Sequence, residues 1–371
     1  MAYFLENFKY SSCYPTFSDL DSITKTLLSK SYGYDVYLEN PYDPAHGVYM
    51  YPSIWLSVFD FLNLNNINNF RVFNFIIILI YFFVIQDIYL RNSQNISKFI
   101  LIIFFFSTTN FLILERLNIE IIIFSLIYFT VISRNYIFKS LLFLFALAGK
   151  VFPIFSIFLF IANKRFFYLI LFLSILYLFF IKEEIYFMST NMIEYARIFA
   201  YGSGSISKAI YYYSREYNLF INDENYIYLK SIIIFLFSVI AIILLKINFI
   251  FGNKPIEKNL KLDDALFLAG GGIYLGTFIF SSNVDYRLVF LLLTFSFMIK
   301  IKNSLVKNIY IISCLIIFNS FIFEGGDPYS IKYFIKASFI YSLKFIVFII
   351  ICYFFGLVLN KYLRFNLSKK N

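Results

Sequence analysis

One set of ionisable residues stands out because its members fall in or beside the loops between long apolar runs: Asp19, Asp21, Asp35, Asp43, His46, Glu115, Arg116, Glu120, Lys150, Asp285 and Arg287. Charge near membrane depth is costly and usually functional. A carboxylate placed there can deprotonate a hydroxyl as a general base. A close pair such as Asp19-x-Asp21 also suits a hard cation, Mg2+ or Mn2+. Lysine and arginine stabilise a phosphate that departs carrying negative charge. A plainer reading competes for the acidic pair. Ser18-Asp19 followed by Leu-Asp-Ser-Ile-Thr-Lys is also a helix start, with acids beside the positive helix end. His46, in Pro-Ala-His-Gly, reads first as a surface-loop residue.

These groups are set in an unusually apolar chain. Of its 371 residues 60% are hydrophobic, 23% aromatic and only 15% charged, and the mean hydropathy is +0.75. Soluble domains are about 45–50% apolar and about 25% charged, so lipid must take up the surplus. The class expected is an all-α polytopic membrane protein with about ten or more transmembrane helices. Cys13, Cys314 and Cys352 are too scattered for a disulfide framework or a metal site. A net charge of +10 would suit nucleic acid, but the cations cluster between apolar segments, as in cytoplasmic loops. Nucleic acid is set aside.

Apolar stretches run over 71–90, 99–114, 119–133, 138–163, 166–182, 229–251, 265–282, 287–299, 308–323 and 338–360. A span takes about 20 residues, so 138–163, interrupted by Pro153, reads as a tight helical pair. The basic connections around Arg91, Arg134, Lys164, Lys254, Lys300 and Lys361 then share one side, which the positive-inside rule makes cytosolic. This divides the chain into an outer, non-cytosolic region 1–70, helices over 71–182, a large outer loop 183–228, and helices with a basic cytosolic tail over 229–371. Pro52–Leu62 is short for a span and reads either as a re-entrant piece on the outer side or as a short span that changes the side of the N-terminus. No signal peptide precedes residues 1–50, so either an N-terminal helix is missing or later helices carry the segment across.

The polar stretch Tyr14–Trp55 carries Asp19-x-Asp21, then Gly33 to Tyr37 as Gly-x-x-x-Tyr, Asn40-Pro-Tyr-Asp-Pro, and Tyr49-x-Tyr51-Pro before a helix. Further on come Phe83-Val-Ile-Gln-Asp87, Glu115-Arg-Leu-Asn-Ile-Glu120 and Gly149-Lys-Val-Phe-Pro153. In this order the motifs resemble the GT-C superfamily of polytopic glycosyltransferases. They are most similar to the GPI mannosyltransferase I catalytic subunit and to bacterial polyprenyl-phosphate-mannose-dependent mannosyltransferases. The resemblance covers roughly 14–165. Leu117 stands where that family's short loop has Gly, and Phe152 where it has Tyr.

The resemblance implies an inverting transfer of a sugar, mannose foremost, from a polyprenyl-phosphate donor. The acceptor would be a glycan or glycolipid on the outer face of a bacterial inner membrane. It makes Asp19 the leading base, with Asp21 supporting it or sharing a divalent cation; some such enzymes need Mg2+ or Mn2+ and others do not. Lys150, Arg116 and Arg287 become the donor-phosphate contacts, and Glu115, Asn118, Glu120 and Tyr37 supporting residues. For Arg287 the competing reading is an interfacial snorkelling residue. Tyr37, Tyr42, Tyr49 and Tyr51 stack on sugar or form an interfacial belt.

Other polar features read as structural. Gly270-Gly271-Gly272 with Gly276 is helix packing, Gly202-Ser-Gly-Ser205 is a flexible piece of the outer loop that covers substrate, and Glu324-Gly-Gly-Asp327-Pro is a turn. Two other functions compete. A surface-polysaccharide polymerase or ligase would rely on outer arginines such as Arg197 and Arg215. A flippase or transporter of lipid-linked sugars would show paired half-repeats with charges at the midplane, and no repeat is evident.

Overall fold

A computed structural model describes residues 18–43, 47–91, 95–191, 197–216, 223–251, 260–325 and 330–363. The fold is all-α, with two strands of two residues each. Among the described residues four helices are long and apolar enough to cross a membrane: Ile67–Arg91, Asn225–Ile247, Leu262–Phe280 and Ile331–Leu363. The number rises to six if the bent pairs at 98–116 and 164–191 each make one span. This is fewer than the ten or more expected from the apolar runs. The difference has a physical cause. Several runs form helices of 13–14 residues, such as Glu120–Ile132, Tyr136–Gly149 and Ser304–Ile317. Others wind into 3-10 turns, Phe152–Phe160 and Asp285–Thr294. The long helices mark a membrane protein. Asn225–Ile247 has only 11% of its apolar window buried inside the protein, leaving Phe235, Leu236, Ile242 and Ile243 exposed, as hydrocarbon permits and water does not.

The chain forms two compact units that interleave along the sequence. The first draws on 1–91, 111–153 and 170–192. It contains the helix Ser18–Ser31, the eight-residue helix Ile54–Phe61, and Ile67–Arg91 packed on Glu120–Ile132. Glu120–Ile132 is buried along most of its length, with Ile121, Ile123, Phe124 and Ile127 inaccessible. Tyr136–Gly149 packs beside it and starts on Asn135, whose side chain accepts from the Ile137 and Phe138 amides. It stops at Gly149, after which Lys150 is extended, with φ −155° and ψ 149°. Gly149 is needed for contact: an added Cβ would stand 2.7 Å from Trp55. Trp55 Nε1 donates to the Gly149 carbonyl at 2.8 Å, tying Ile54–Phe61 to this helix end.

The second unit draws on 92–110, 154–169 and 193–371. Its centre is Leu262–Phe280, buried over 89% of its apolar window and packed on Asp285–Thr294 and Ile331–Leu363. The glycines of this helix are packing positions. A side chain at Gly272 would meet the Phe155 carbonyl, and one at Gly276 the Phe155 ring. The strand Ala200–Tyr201 pairs antiparallel with Asn283–Val284. Gly202–Ser205 is no flexible cover here: Gly202, Ser203, Gly204 and Ser205 are buried, and they open the helix Ser203–Glu216. Ser203 Oγ donates to the Ile279 carbonyl at 2.5 Å, and Ser205 and Ser282 share a 2.7 Å hydroxyl bond.

Candidate functional site

In the first unit, Asp19 sits in the first turn of Ser18–Ser31 and is buried. Arg116, at the end of Thr108–Arg116, grips it as a fork: Nε donates to both carboxylate oxygens at 3.0 Å and Nη2 to Oδ1 at 2.5 Å. Asn118 Nδ2 donates to Asp19 Oδ2. The Asn118 side-chain carbonyl accepts from the Glu120 amide at 2.9 Å, so one amide joins the Asp19 pair to the start of the next helix. Leu117 adopts φ +45°, the left-handed region that costs a branched side chain energy and glycine almost none. Its side chain is fully buried, which offsets that strain.

Glu120 is inaccessible to solvent and takes Lys150 Nζ at 3.0 Å. The Lys150 ammonium also lies 5.1 Å from the Tyr51 ring centre, within cation–π range. Lys150 reaches this position because its helix ends one residue before it. Asp43 accepts from Ser22 and, at 3.2 Å, from the Gly47 amide. This ties the Asn-Pro-Tyr-Asp-Pro loop onto the helix that carries Asp19. Glu115 is 5% exposed, and its Oε1 has no hydrogen-bond partner among the described residues.

Several expected residues go elsewhere. Asp21 is two positions from Asp19, and residues so spaced on a helix do not face each other; Asp21 Oδ1 instead accepts from Thr24 Oγ1 at 3.2 Å. The two carboxylates therefore do not present themselves jointly to Mg2+ or Mn2+. Among the described residues no group of three His, Cys, Asp or Glu side chains is arranged for a metal. Tyr37 packs edge-on to Tyr49 and Phe187 at 5.7 and 5.5 Å. Burial, helped by the negative charge of Glu184, pushes its phenol up to about 12. It stays neutral and serves as an aromatic wall. His46 lies outside the described residues.

Arg287 belongs to the second unit, where it donates to the Asn283 side-chain carbonyl. Nearby, Asp285 and Lys344 form a fully buried ion pair at 2.8 Å, and Ser320 Oγ also donates to Asp285. Glu324 is more than part of a turn. It accepts from the Ile198 amide at 3.1 Å and from Tyr333 OH at 3.0 Å, and pairs with Arg197 at 3.4 Å.

Sequence reasoning missed Lys344 and Glu184. Lys344 had a readable signal, a lone cation inside the apolar run 338–360. Glu184 had none; it holds the Ser53 amide and hydroxyl at 3.1 and 2.7 Å from 131 residues away. No family model, curated protein or solved structure matches the chain.

Proposed function

We propose that the chain is a GT-C-type membrane glycosyltransferase. It would move a sugar from a polyprenyl-phosphate donor to a glycan or glycolipid acceptor on the non-cytosolic face of a bacterial inner membrane. One observation carries the reading. Four of the segments on which the resemblance rests, far apart in sequence, meet in one partly buried polar cluster: Asp19 with Arg116 and Asn118, and Glu120 with Lys150 and Tyr51. Asp87, of a further motif, bonds Tyr128, eight residues and about 12 Å along the helix from Glu120, and takes no part.

In this reading Asp19 is the base, held in orientation by Arg116 and Asn118. It takes the proton of the acceptor hydroxyl as that oxygen bonds to the anomeric carbon. The bond from that carbon to the phosphate oxygen breaks, and the phosphate leaves with the electron pair. In this reading Arg116 and Lys150 would supply the cations that departing negative charge needs. Arg287, in the second unit, donates to Asn283 and remains a further candidate for the phosphate role. Asp21 supports the helix turn, and a divalent ion, if the reaction uses one, is not held by an Asp19–Asp21 pair. On the same reading the shorter apolar helices would add to the four to six candidate spans, with the basic connections cytosolic.

The test is transfer from polyprenyl-phosphate-mannose in membranes by wild type, Asp19→Asn, Asp21→Asn and Lys150→Met, each checked for expression. Loss in Asp19→Asn and Lys150→Met with retention in Asp21→Asn supports the assignment. Transfer untouched by Asp19→Asn removes the base. No transfer by the wild type, with glycan polymer lengthening from lipid-linked oligosaccharide instead, would favour the polymerase.

A further inference from the structure

Within the first unit the helix Tyr136–Gly149 ends one residue before Lys150, and its last two carbonyls accept from side chains. A helix leaves its final carbonyls without partners in its own ladder. The Lys150 amide closes the last turn on the Ala146 carbonyl at 3.1 Å. Tyr177 OH then donates to the Ala148 carbonyl at 3.1 Å, and Trp55 Nε1 to the Gly149 carbonyl at 2.8 Å. Trp55 belongs to Ile54–Phe61 and Tyr177 to Lys164–Phe180, so two other helices hold this end from outside.

The same contacts fix where Lys150 starts. Gly149 is wedged between Trp55 and Ile123: an added Cβ would stand 2.7 Å from the indole and 2.8 Å from Ile123 Cδ1. Ile123 lies three residues after Glu120, and residues so spaced share one face of a helix. The backbone entering Lys150 is therefore pressed onto the face of Glu120–Ile132 that carries Glu120, and the ammonium closes on that carboxylate at 3.0 Å. Lysine is a compact charge on a flexible four-carbon stem, so its head is placed only as well as its root. Trp55 is itself firmly seated. It is buried and lies edge-on to Phe59, ring centres 6.1 Å apart. Glu184 holds Ser53, at the start of the same helix, through its amide and hydroxyl.

We propose that Trp55 and Tyr177 are positioning residues for Lys150. They hold the helix end from which it springs, so that its ammonium rests on Glu120 and, during transfer, faces the departing phosphate. The placement on Glu120 stands by itself; the role in transfer rests on the glycosyltransferase reading. The effect of both residues passes through Lys150 and not through contact with substrate. An error of about 1 Å in the position of such a group can cost about a hundredfold in rate.

Two measurements on the full chain in detergent test this. In the first, trace acetic anhydride labels the lysines, and mass spectrometry compares Lys150 with Lys164, which is exposed. Trp55→Phe and Tyr177→Phe each remove a donor, and each should raise the ratio of Lys150 to Lys164 labelling about threefold or more, as the helix end opens more often. The second follows transfer from polyprenyl-phosphate-mannose. Each variant should lower kcat about tenfold. KM for the donor should change less than about twofold, the mark of an interaction made in the transition state. The residual transfer of Lys150→Met should not fall further when either change is added. Variants are compared only with a melting temperature close to wild type; Tyr177→Phe, which loses one hydroxyl, stands alone if Trp55→Phe unfolds. An unchanged labelling ratio overturns the proposal, whatever the wild type transfers. A further loss of transfer on top of Lys150→Met also overturns it, because the two residues then act by another route. A raised labelling ratio in a chain whose wild type transfers nothing supports the placement of Lys150 and removes the glycosyltransferase reading alone.

Discussion

Lys344 donates from Nζ to both carboxylate oxygens of Asp285 at 2.8 Å, and neither side chain has any exposed surface. The same ammonium binds the Ile198 and Ala200 carbonyls at 2.6 and 2.9 Å. Removing one partner of a buried pair strands the other, at a cost of about 3–5 kcal/mol. Lys344→Met should therefore lower the melting temperature sharply. Adding Asp285→Leu should recover only part of the loss, because the two carbonyls stay unbound. Full recovery in the double variant would show that the carbonyl contacts contribute nothing.

Asp19 and Asp21 separate cleanly by variant. Asp19→Asn removes the charge that Arg116 forks, and Arg116 is partly exposed, so the loss should be about 1–3 kcal/mol, together with loss of transfer. Asp21→Asn should stay within about 0.5 kcal/mol and keep transfer. Thermal unfolding and the transfer assay, run on the same preparations, check both. An Asp21 effect as large as that of Asp19 would contradict the one-sided helix geometry.

Glu120 and Lys150 should behave as a coupled unit. Glu120→Gln and Lys150→Met each leave a buried or half-buried partner uncompensated, and the double variant should lose less than the two single losses together. A coupling of about 0.5–3 kcal/mol is expected for groups in direct contact, read from a double-mutant cycle of unfolding. Additive losses would place the two side chains apart.

Burial raises the Glu324 carboxyl above its ordinary value, against the lowering by Tyr333 OH and Arg197. A carboxyl that holds its proton more tightly when folded favours the folded state most at low pH. That contribution is lost as pH rises from the unfolded value of about 4.3 through the higher folded value. Glu324→Gln does not titrate, so the melting temperature of wild type minus variant should fall as pH climbs from about 4, then level off. A rise over that range would mean that the Arg197 pairing outweighs burial.

Gly276 tests the packing of the central helix. A methyl group there meets the Phe155 ring, and overpacking a filled core costs about 1–3 kcal/mol. Gly276→Ala should melt earlier, while Gly325→Ala, where nothing among the described residues lies within 4 Å, should not. Equal melting of the two would deny close contact at Phe155.

Much of this was legible in the sequence, and the limits are physical. Helical character followed from apolar run length and missing charge. Asp19, Arg116, Asn118, Glu120 and Lys150 stand out in the sequence by their types and motifs, and in the structure they meet. The number of spans was not legible, because an apolar run of about 15 residues reads the same whether it crosses lipid, forms a short buried helix such as Glu120–Ile132, or tightens into 3-10 turns. Facing direction was lost too: Asp19-x-Asp21 looks like a pair in one dimension and is not one on a helix. Ion pairs such as Lys344–Asp285, 59 residues apart, leave only a lone charge in an apolar run as their trace.

The ribbon Ala200–Tyr201 has an order of events written into it. The ammonium that satisfies the Ile198 and Ala200 carbonyls comes from Lys344, 144 residues past the latter. At about 5–20 residues per second of synthesis, the ribosome needs roughly 7–30 s to reach that lysine after making the ribbon. During that interval the carbonyls must be met by water or by another donor. The second unit can close around them only once its last long helix has arrived. Chains halted before residue 344 should accordingly expose this segment to protease, and chains extended past it should not.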